Sequence, residues 1–142
     1  MGVIDDSNLG LEFAGTILEV GDAVVDVKPG DRVMGISRHC IASEVICRDE
    51  MCTQIPSGLA FEQAATMPVV YATVIYALAD IGRLSQGQTV LIHSACGGVG
   101  LAALQLCQHI GAEVRALHRL QVWRLILSRS TPPWAIRTSE NF

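Results

Sequence analysis

The stretch QTVLIHSACGGVGLAALQLCQHIG, residues 88–111, decides the fold of this chain. It begins with the apolar run Thr89–His93, which is rich in β-branched residues and too short for a helix, so we predict a buried strand of a parallel sheet. A turn of small residues, 94–100, and a segment with helical spacing follow. Gly111 stands where a left-handed residue would end the helix. This order of elements is typical of the phosphate-binding corner of a dinucleotide fold.

The helical segment is predicted to be amphipathic. Its apolar face would carry Val99, Ala102, Ala103, Leu106 and Ile110, and another face would carry Gln105, Gln108 and His109. The apolar face is expected to pack against the sheet.

The residue types of the turn suit a pyrophosphate. That group must approach backbone N–H groups and the positive end of a helix, so bulky side chains are excluded there. Gly97 and Gly100 keep the G-x-x-G part of the dinucleotide fingerprint around Gly98 and Val99, and Ala95 stands at the position of the first glycine. A tight strand-to-helix turn of purely structural value can use the same glycines, so that alternative stays open.

Three stretches together resemble medium-chain dehydrogenase/reductases. They are GDRVM (30–34), PSGLAFEQAATMPVVYATVIYAL (56–78) and residues 89–114. Within that superfamily the chain is most similar to the enoyl reductase domain of fungal-type highly reducing polyketide synthases. The resemblance covers about residues 1–114, and the last 28 residues do not match.

Metal and redox chemistry are constrained by the cysteines. There are five at irregular spacing, with no C-x-x-C pair, so a zinc site on Cys47 and Cys52 is the weaker interpretation. The resemblance implies the zinc-free branch, because Leu11 stands where zinc-dependent members carry a ligand histidine. With no signal peptide and no apolar run that looks long enough for a bilayer, we expect reduced thiols, a cytoplasmic location and no membrane partner.

Charge divides the chain into two parts. Residues 1–114 have a net charge of −8, whereas residues 115–142 have a net charge of +4 and contain both tryptophans. The arginines of the tail are spaced among leucine and proline, so we predict no nucleic-acid binding.

The first part reads as closely spaced short strands, which indicates a small β-barrel. The predicted strands lie in 10–21, 24–27, 32–36, 41–47 and 52–55. The sequence Lys28-Pro29-Gly30-Asp31 is typical of a turn between two strands.

Helical periodicity then replaces the strands. Residues 61–67 form a short helical piece, and a longer helix is predicted from Pro68 to about Gly82. The resemblance places Thr73 at the nicotinamide pocket, while ordinary helix packing is an equally open interpretation.

After Gly111, residues 112–117 predict a second parallel strand. An NAD enzyme usually has an acidic residue near the end of this strand, and Arg119 stands there instead, which suits the 2′-phosphate of NADPH. A solvated surface charge is the alternative for Arg119. Residues 120–127 are predicted to form a short helix or strand.

The resemblance implies a partial GroES-like β-barrel followed by the first βαβ part of a Rossmann fold, an α/β architecture. The expected divisions are 1–67 (substrate domain), 68–119 (NADPH domain with linking helix) and 120–142 (divergent tail). The implied function is hydride transfer from NADPH to the α,β-double bond of an enoyl thioester on an acyl carrier protein. We assign no catalytic residue, because the family's proton donors lie beyond the matching stretch, and we expect the isolated chain to be inactive and to self-associate. A quinone-oxidoreductase-like enzyme and a non-catalytic interaction module remain alternatives.

Overall fold

The computed structural model describes residues 9–118 and 121–125, which fall into two compact units. Unit 1 is Met1–Val69 and unit 2 is Val70–Phe142. Each unit contains a three-stranded sheet together with helical segments, which confirms the predicted α/β class.

Unit 1 is built on an antiparallel sheet. Its strands, in spatial order, are β1 (Glu12–Thr16), β2 (Arg32–Ile36) and β3 (Cys52–Gln54). The predictions for β2 and β3 are confirmed, whereas the strand-like stretch 10–21 contributes only the five residues of β1.

The turn before β2 has the structure that its sequence predicts. The N–H of Asp31 donates to the carbonyl of Lys28 (3.1 Å), and the carboxylate of Asp31 accepts from the N–H of Lys28 (3.0 Å). Gly30 has φ +91°, in the region that favours glycine. Ile17 exchanges backbone hydrogen bonds of 2.9 Å with Asp31 and Gly30, so pairing continues one residue beyond β1.

The predicted strand at 41–47 is wrong, because this segment has no regular structure. Its two isoleucines are not buried, since Ile41 is 77% exposed and Ile46 is 97% exposed. The carbonyl of Ile46 accepts from the Ser37 hydroxyl (3.4 Å). The segment at 24–27 is likewise not a strand. Short apolar stretches between turn residues therefore overstate the strand content of unit 1.

Helical segments follow the sheet. They are a 3₁₀ turn at Asp49–Met51, α1 (Phe61–Ala64), α2 (Pro68–Val74) and a π-helical segment (Ile75–Ile81). The start at Pro68 is confirmed, but the change to π geometry after Val74 was not indicated by the sequence. At its end the N–H of Gly82 donates to the carbonyl of Ala77 (2.9 Å), five residues earlier, as a π-helix requires.

Unit 2 contains the predicted strand–helix–strand crossover. Its elements are β4 (Thr89–His93), α3 (Gly98–Ile110), β5 (Glu113–His118) and β6 (Gln121–Leu125). The pairing of β4 with β5 is parallel, with Ile92 opposite Ala116, and that of β5 with β6 is antiparallel. Gly111 ends α3 with φ +83°, as predicted. Of the residues left open as helix or strand, Gln121–Leu125 form a strand, β6.

The prediction that Thr89–His93 is a buried strand is wrong for most of its residues. Among its five residues only Ile92 is buried, and Leu91 is 52% exposed. In the described part of the chain, β4 pairs only with β5, so it lies at a sheet edge. Val114 and Ala116 of β5 are buried and Arg115 is exposed, so the sheet is covered on one face.

The buried face of α3 also differs from the predicted one. Val99 is 46% exposed, whereas Leu104 and Cys107, which were not assigned to the apolar face, are buried. The core of unit 2 consists of Val74, Ile92, Ala95, Ala102, Ala103, Leu104, Cys107, Ala112, Val114 and Ala116. Ala102 and Ala103 are buried as predicted, and Leu106 and Ile110 pack against this core while they stay partly exposed.

One helical stretch, Phe61–Ile81, is long and apolar enough to cross a membrane by length and composition alone. The sequence was expected to hold no such run. Core helices of water-soluble proteins meet the same criterion, so one helix of this kind is weak evidence. The stretch is interrupted by a turn at 65–67.

Candidate nucleotide-binding turn

The candidate site is the turn at 94–100, which joins the carboxyl end of β4 to α3. Ser94 has φ +54°, an uncommon conformation for a residue other than glycine. Its carbonyl accepts from the N–H of Gly97 (3.0 Å), which closes the turn. In parallel sheets, ligands bind at this end of the strands.

Gly100 is required for packing. A Cβ atom at this position would lie 2.6 Å from the Cα of Ala95 and 2.6 Å from the carbonyl oxygen of Ser94. Both are backbone atoms, which cannot yield as a flexible side chain can. Gly100 and Ala95 are buried, so their small size sets the close approach of α3 to the end of β4.

Gly97 and Gly98 have a different environment. A Cβ at Gly97 would lie 3.5 Å from the carbonyl oxygen of Ser94, and one at Gly98 would lie 3.6 Å from a methyl group of Val70. Both are ordinary contact distances. Gly97 has φ −82° and ψ 169°, a conformation open to any residue. Packing and backbone geometry therefore do not require glycine at these two exposed positions.

The N-terminus of α3 presents unpaired backbone donors. The first intrahelical bond is donated by Leu101 to the carbonyl of Gly97 (2.8 Å), so the N–H groups of Gly98, Val99 and Gly100 precede the helical ladder. Gly97 supplies no side-chain cap, and the first turn has no acidic residue. The helix dipole and these donors favour an anion at this end.

The first turn of α2 lies beside the glycine turn. Val70 approaches Gly98 as described, and the hydroxyl of Tyr71 hydrogen bonds to the side-chain carbonyl of Gln105 on α3. Thr73, three residues after Val70, lies on the same side of α2 and is exposed. The contacts with the glycine turn and α3 are thus made by Val70 and Tyr71, which the sequence had not indicated, and a role for Thr73 stays a prediction.

Arg119 lies outside the described residues. The last residue of β5, His118, is described only as part of that strand. The predicted contact of Arg119 with a 2′-phosphate stays a prediction.

The described part of the chain contains no group of three or more His, Cys, Asp or Glu side chains that could hold a metal ion. Leu11 is 55% exposed. Of the two cysteines of unit 2, Cys96 lies in the turn and is exposed, whereas Cys107 lies on α3, where burial raises the pKa of its thiol to about 11.

Comparison with known proteins identifies the family. Residues 4–76, about half of the chain, match the alcohol dehydrogenase GroES-like domain. The chain belongs to this family. In a separate comparison, this GroES-like family member is 51% identical over 115 residues to the highly reducing polyketide synthase gloL of Glarea lozoyensis. That match covers 80% of the chain and 4% of the synthase.

Solved structures give the same picture. CurK enoyl reductase is 37% identical with a TM-score of 0.71, and the match covers 75% of this chain and 32% of the enoyl reductase chain in that structure. A quinone oxidoreductase of Pseudomonas syringae is 32% identical with a TM-score of 0.68, covering 78% and 34%. The mycobacterial protein Rv1454c, solved with NADPH, is 30% identical with a TM-score of 0.68, covering 75% and 34%. The resemblance to enoyl reductases of the medium-chain superfamily is confirmed, and the chain spans about a third of these structures.

Proposed function

We propose that this chain is the nucleotide-binding corner of an NADPH-dependent enoyl reductase. The observation that supports this proposal is the difference in the space around the glycines of the turn. At Gly100 the neighbouring backbone lies too close for any side chain, whereas Gly97 and Gly98 have space for a Cβ atom. A ligand that needs bare backbone at the start of α3, such as a pyrophosphate, accounts for that room.

NADPH, when bound, supplies the hydride. The residues of this chain would set its position: the N–H groups of Gly98, Val99 and Gly100, at the start of α3, would hold the pyrophosphate, and Ala95 would keep the turn narrow. Thr73 borders the nicotinamide, and Arg119 pairs with the 2′-phosphate. Because Gly97 carries no side chain, the pyrophosphate can approach the helix axis.

The substrate class follows from the relatives. We propose an enoyl thioester on an acyl carrier protein, since the relatives include highly reducing polyketide synthases and the solved neighbours include CurK enoyl reductase. We also assign the chain to the zinc-free branch, supported by Leu11 in place of a ligand. The likeness to a quinone oxidoreductase favours a quinone substrate as the second candidate. A non-catalytic module is the third, and nucleotide binding separates it from the other two.

Replacing Gly97 by Asp tests the proposal. Aspartate suits an N-cap position, and Gly97 has space for its Cβ, so the helix should remain intact. The carboxylate would occupy and repel the pyrophosphate, so the Kd for NADPH should rise at least about tenfold, which corresponds to about 1.4 kcal/mol. Fluorescence titration with NADPH and NADH measures this, and NADPH is expected to bind more tightly.

Gly21→Asp is the matched control. It adds the same charge at a glycine with nothing within 4 Å of the new Cβ, and it lies in a turn of unit 1. This variant should bind NADPH as the wild type does. Equal affinity of wild type, Gly97→Asp and Gly21→Asp would refute the assignment of the turn. With binding established, NADPH oxidation by enoyl thioesters and by quinones, measured on a longer protein that contains the rest of the domain, distinguishes the two enzymes.

A further inference from the structure

Two neighbouring residues at the start of α2 contact α3 at two different levels. The side chain of Val70 lies against the first residue of α3, since a Cβ atom at Gly98 would lie 3.6 Å from one of its methyl carbons. The hydroxyl of Tyr71 donates a hydrogen bond to the side-chain carbonyl of Gln105. Because Gly98 and Gln105 lie about two helical turns apart, these contacts fix both the position and the direction of the start of α2 along α3.

The hydrogen bond between Tyr71 and Gln105 lies at the surface of unit 2. Val70 and Tyr71 pack against the core while they stay partly exposed, and Gln105 is exposed. All three residues lie outside the buried set that forms this core. The hydrogen bond therefore acts on the placement of α2 beside α3 rather than on the packing of the interior.

Val70 borders the candidate pyrophosphate site. The N–H groups of Gly98, Val99 and Gly100 precede the helical ladder of α3, and Gly98 is exposed. The branched side chain of Val70 lies beside the first of these three residues. If this side chain moved over the donors it would obstruct an anion, and if it moved away it would admit water that competes for the same N–H groups. The position of Val70 should therefore affect the affinity of the turn for an anion.

We propose that Tyr71 is a positioning residue for the dinucleotide and acts through Val70. Its hydrogen bond to Gln105 holds the start of α2, so that the Val70 side chain stays at contact distance from Gly98. The approach to the N–H groups of α3 then keeps a constant width. This role rests on the proposed function, because it concerns the affinity of the same turn for NADPH.

Tyr71→Phe tests the role, since it removes the hydroxyl and keeps the ring. Fluorescence titration of the full chain should give a Kd for NADPH about two to ten times that of the wild type, the range that the loss of one hydrogen bond allows. Gln105→Leu, which removes the acceptor, should weaken binding to the same degree. Gln105→Glu keeps an acceptor for the Tyr71 hydroxyl and should restore a Kd close to that of the wild type.

Tyr76→Phe is the matched control. It deletes the same hydroxyl from a tyrosine of the π-helical segment that is 62% exposed, so the Kd for NADPH should not change. Urea denaturation of both tyrosine variants measures any general loss of stability. A loss of affinity in Tyr76→Phe as large as that in Tyr71→Phe would overturn the proposal.

A double variant separates positioning from a purely structural role. If Tyr71 acts through Val70, Tyr71→Phe should have no further effect on the Kd in a Val70→Ala background, because the side chain that it positions has been shortened. A purely structural hydrogen bond would weaken binding by the same factor in both backgrounds, and that result would overturn the proposal.

The Gly97→Asp variant distinguishes failure of this role from failure of the proposed function. If Gly97→Asp binds NADPH weakly while Tyr71→Phe binds it as the wild type does, the role of Tyr71 is wrong and the nucleotide site stands. If Gly97→Asp and the wild type bind NADPH equally, the proposed function is wrong, and the role of Tyr71 is wrong with it.

Discussion

Gly97 and Gly100 are glycine for different reasons, although the sequence pattern treats them alike. A Cβ atom added at Gly100 would lie 2.6 Å from backbone atoms, whereas one added at Gly97 would lie 3.5 Å from its nearest neighbour. One glycine therefore serves the packing of α3, and the other leaves space at the start of that helix. Substitutions at the two positions should consequently affect different properties of the protein.

Gly100→Ala is expected to destabilise the fold. Its methyl group would overlap the backbone of Ser94 and Ala95, and overpacking of this kind costs about 1–3 kcal/mol. Urea denaturation, followed by circular dichroism, measures the loss. Gly97→Asp is the comparison and should keep the free energy of unfolding of the wild type. If Gly100→Ala unfolds at the wild-type urea concentration, the close approach of α3 to the turn is wrong.

Cys107 predicts a pH dependence of stability. It is fully buried, and burial raises its pKa from 9.0 to about 11. As the pH rises above 9, the thiol ionises in the unfolded chain while it stays neutral in the folded one, so the unfolded state is favoured. The contribution is fully present below pH 9 and is lost as the pH rises from 9 to about 11. The free energy of unfolding should fall across that range.

Cys107→Ala removes the ionisable group and keeps a small apolar side chain. Its free energy of unfolding should be lower at neutral pH, because the sulfur leaves a small cavity, but should fall less steeply between pH 9 and 11. Chemical denaturation at a series of pH values compares the slopes. Identical slopes for the two proteins would contradict the buried, neutral thiol.

At the scale of elements, the exposed edge of β4 matters most. In the described residues β4 has one partner strand, and Leu91 at its centre is 52% exposed. An apolar strand edge with unpaired backbone groups promotes association between chains. We expect the isolated chain to self-associate through this edge.

Leu91→Lys should reduce that association. A charged side chain on an edge strand discourages pairing with a second chain, and the exposure of Leu91 leaves room for lysine. Sedimentation velocity at several protein concentrations measures the oligomer fraction. Val25→Lys, at an 87% exposed loop position, adds the same charge away from any strand and should leave the fraction unchanged. Equal oligomer fractions in wild type and Leu91→Lys would exclude the β4 edge.

At the scale of the whole molecule, the chain spans about 4% of the first polyketide synthases that it matches and about a third of the solved enoyl reductases. The 142 residues purified alone should therefore show no NADPH oxidation with an enoyl thioester and a broad thermal transition, since little of the sheet is covered. Stopped-flow absorbance and calorimetry measure these two properties. Turnover by a sharply melting monomer would contradict this expectation.

Elemental analysis of the same sample should find no stoichiometric zinc.

The sequence by itself determined the order of elements in unit 2. Thr89–His93, Gly98–Ile110 and Gly111 are confirmed as strand, helix and left-handed end, because apolar periodicity, β-branching and glycine act over a few neighbouring residues. The resemblance to enoyl reductases is confirmed as well. Thr73 and Val99 could be named as candidates, since a motif fixes their positions along the chain.

Only the tertiary structure decided which faces are covered and which glycines are constrained. The exposure of Leu91 and Val99 and the irregular segment at 41–47 depend on partners far along the chain. Local pattern contains no information on whether a second layer lies against a strand. Likewise, a G-x-x-G pattern does not show that a Cβ atom would lie 2.6 Å from backbone at one glycine and have space at the other, because that distance is set by how α3 packs against the end of β4.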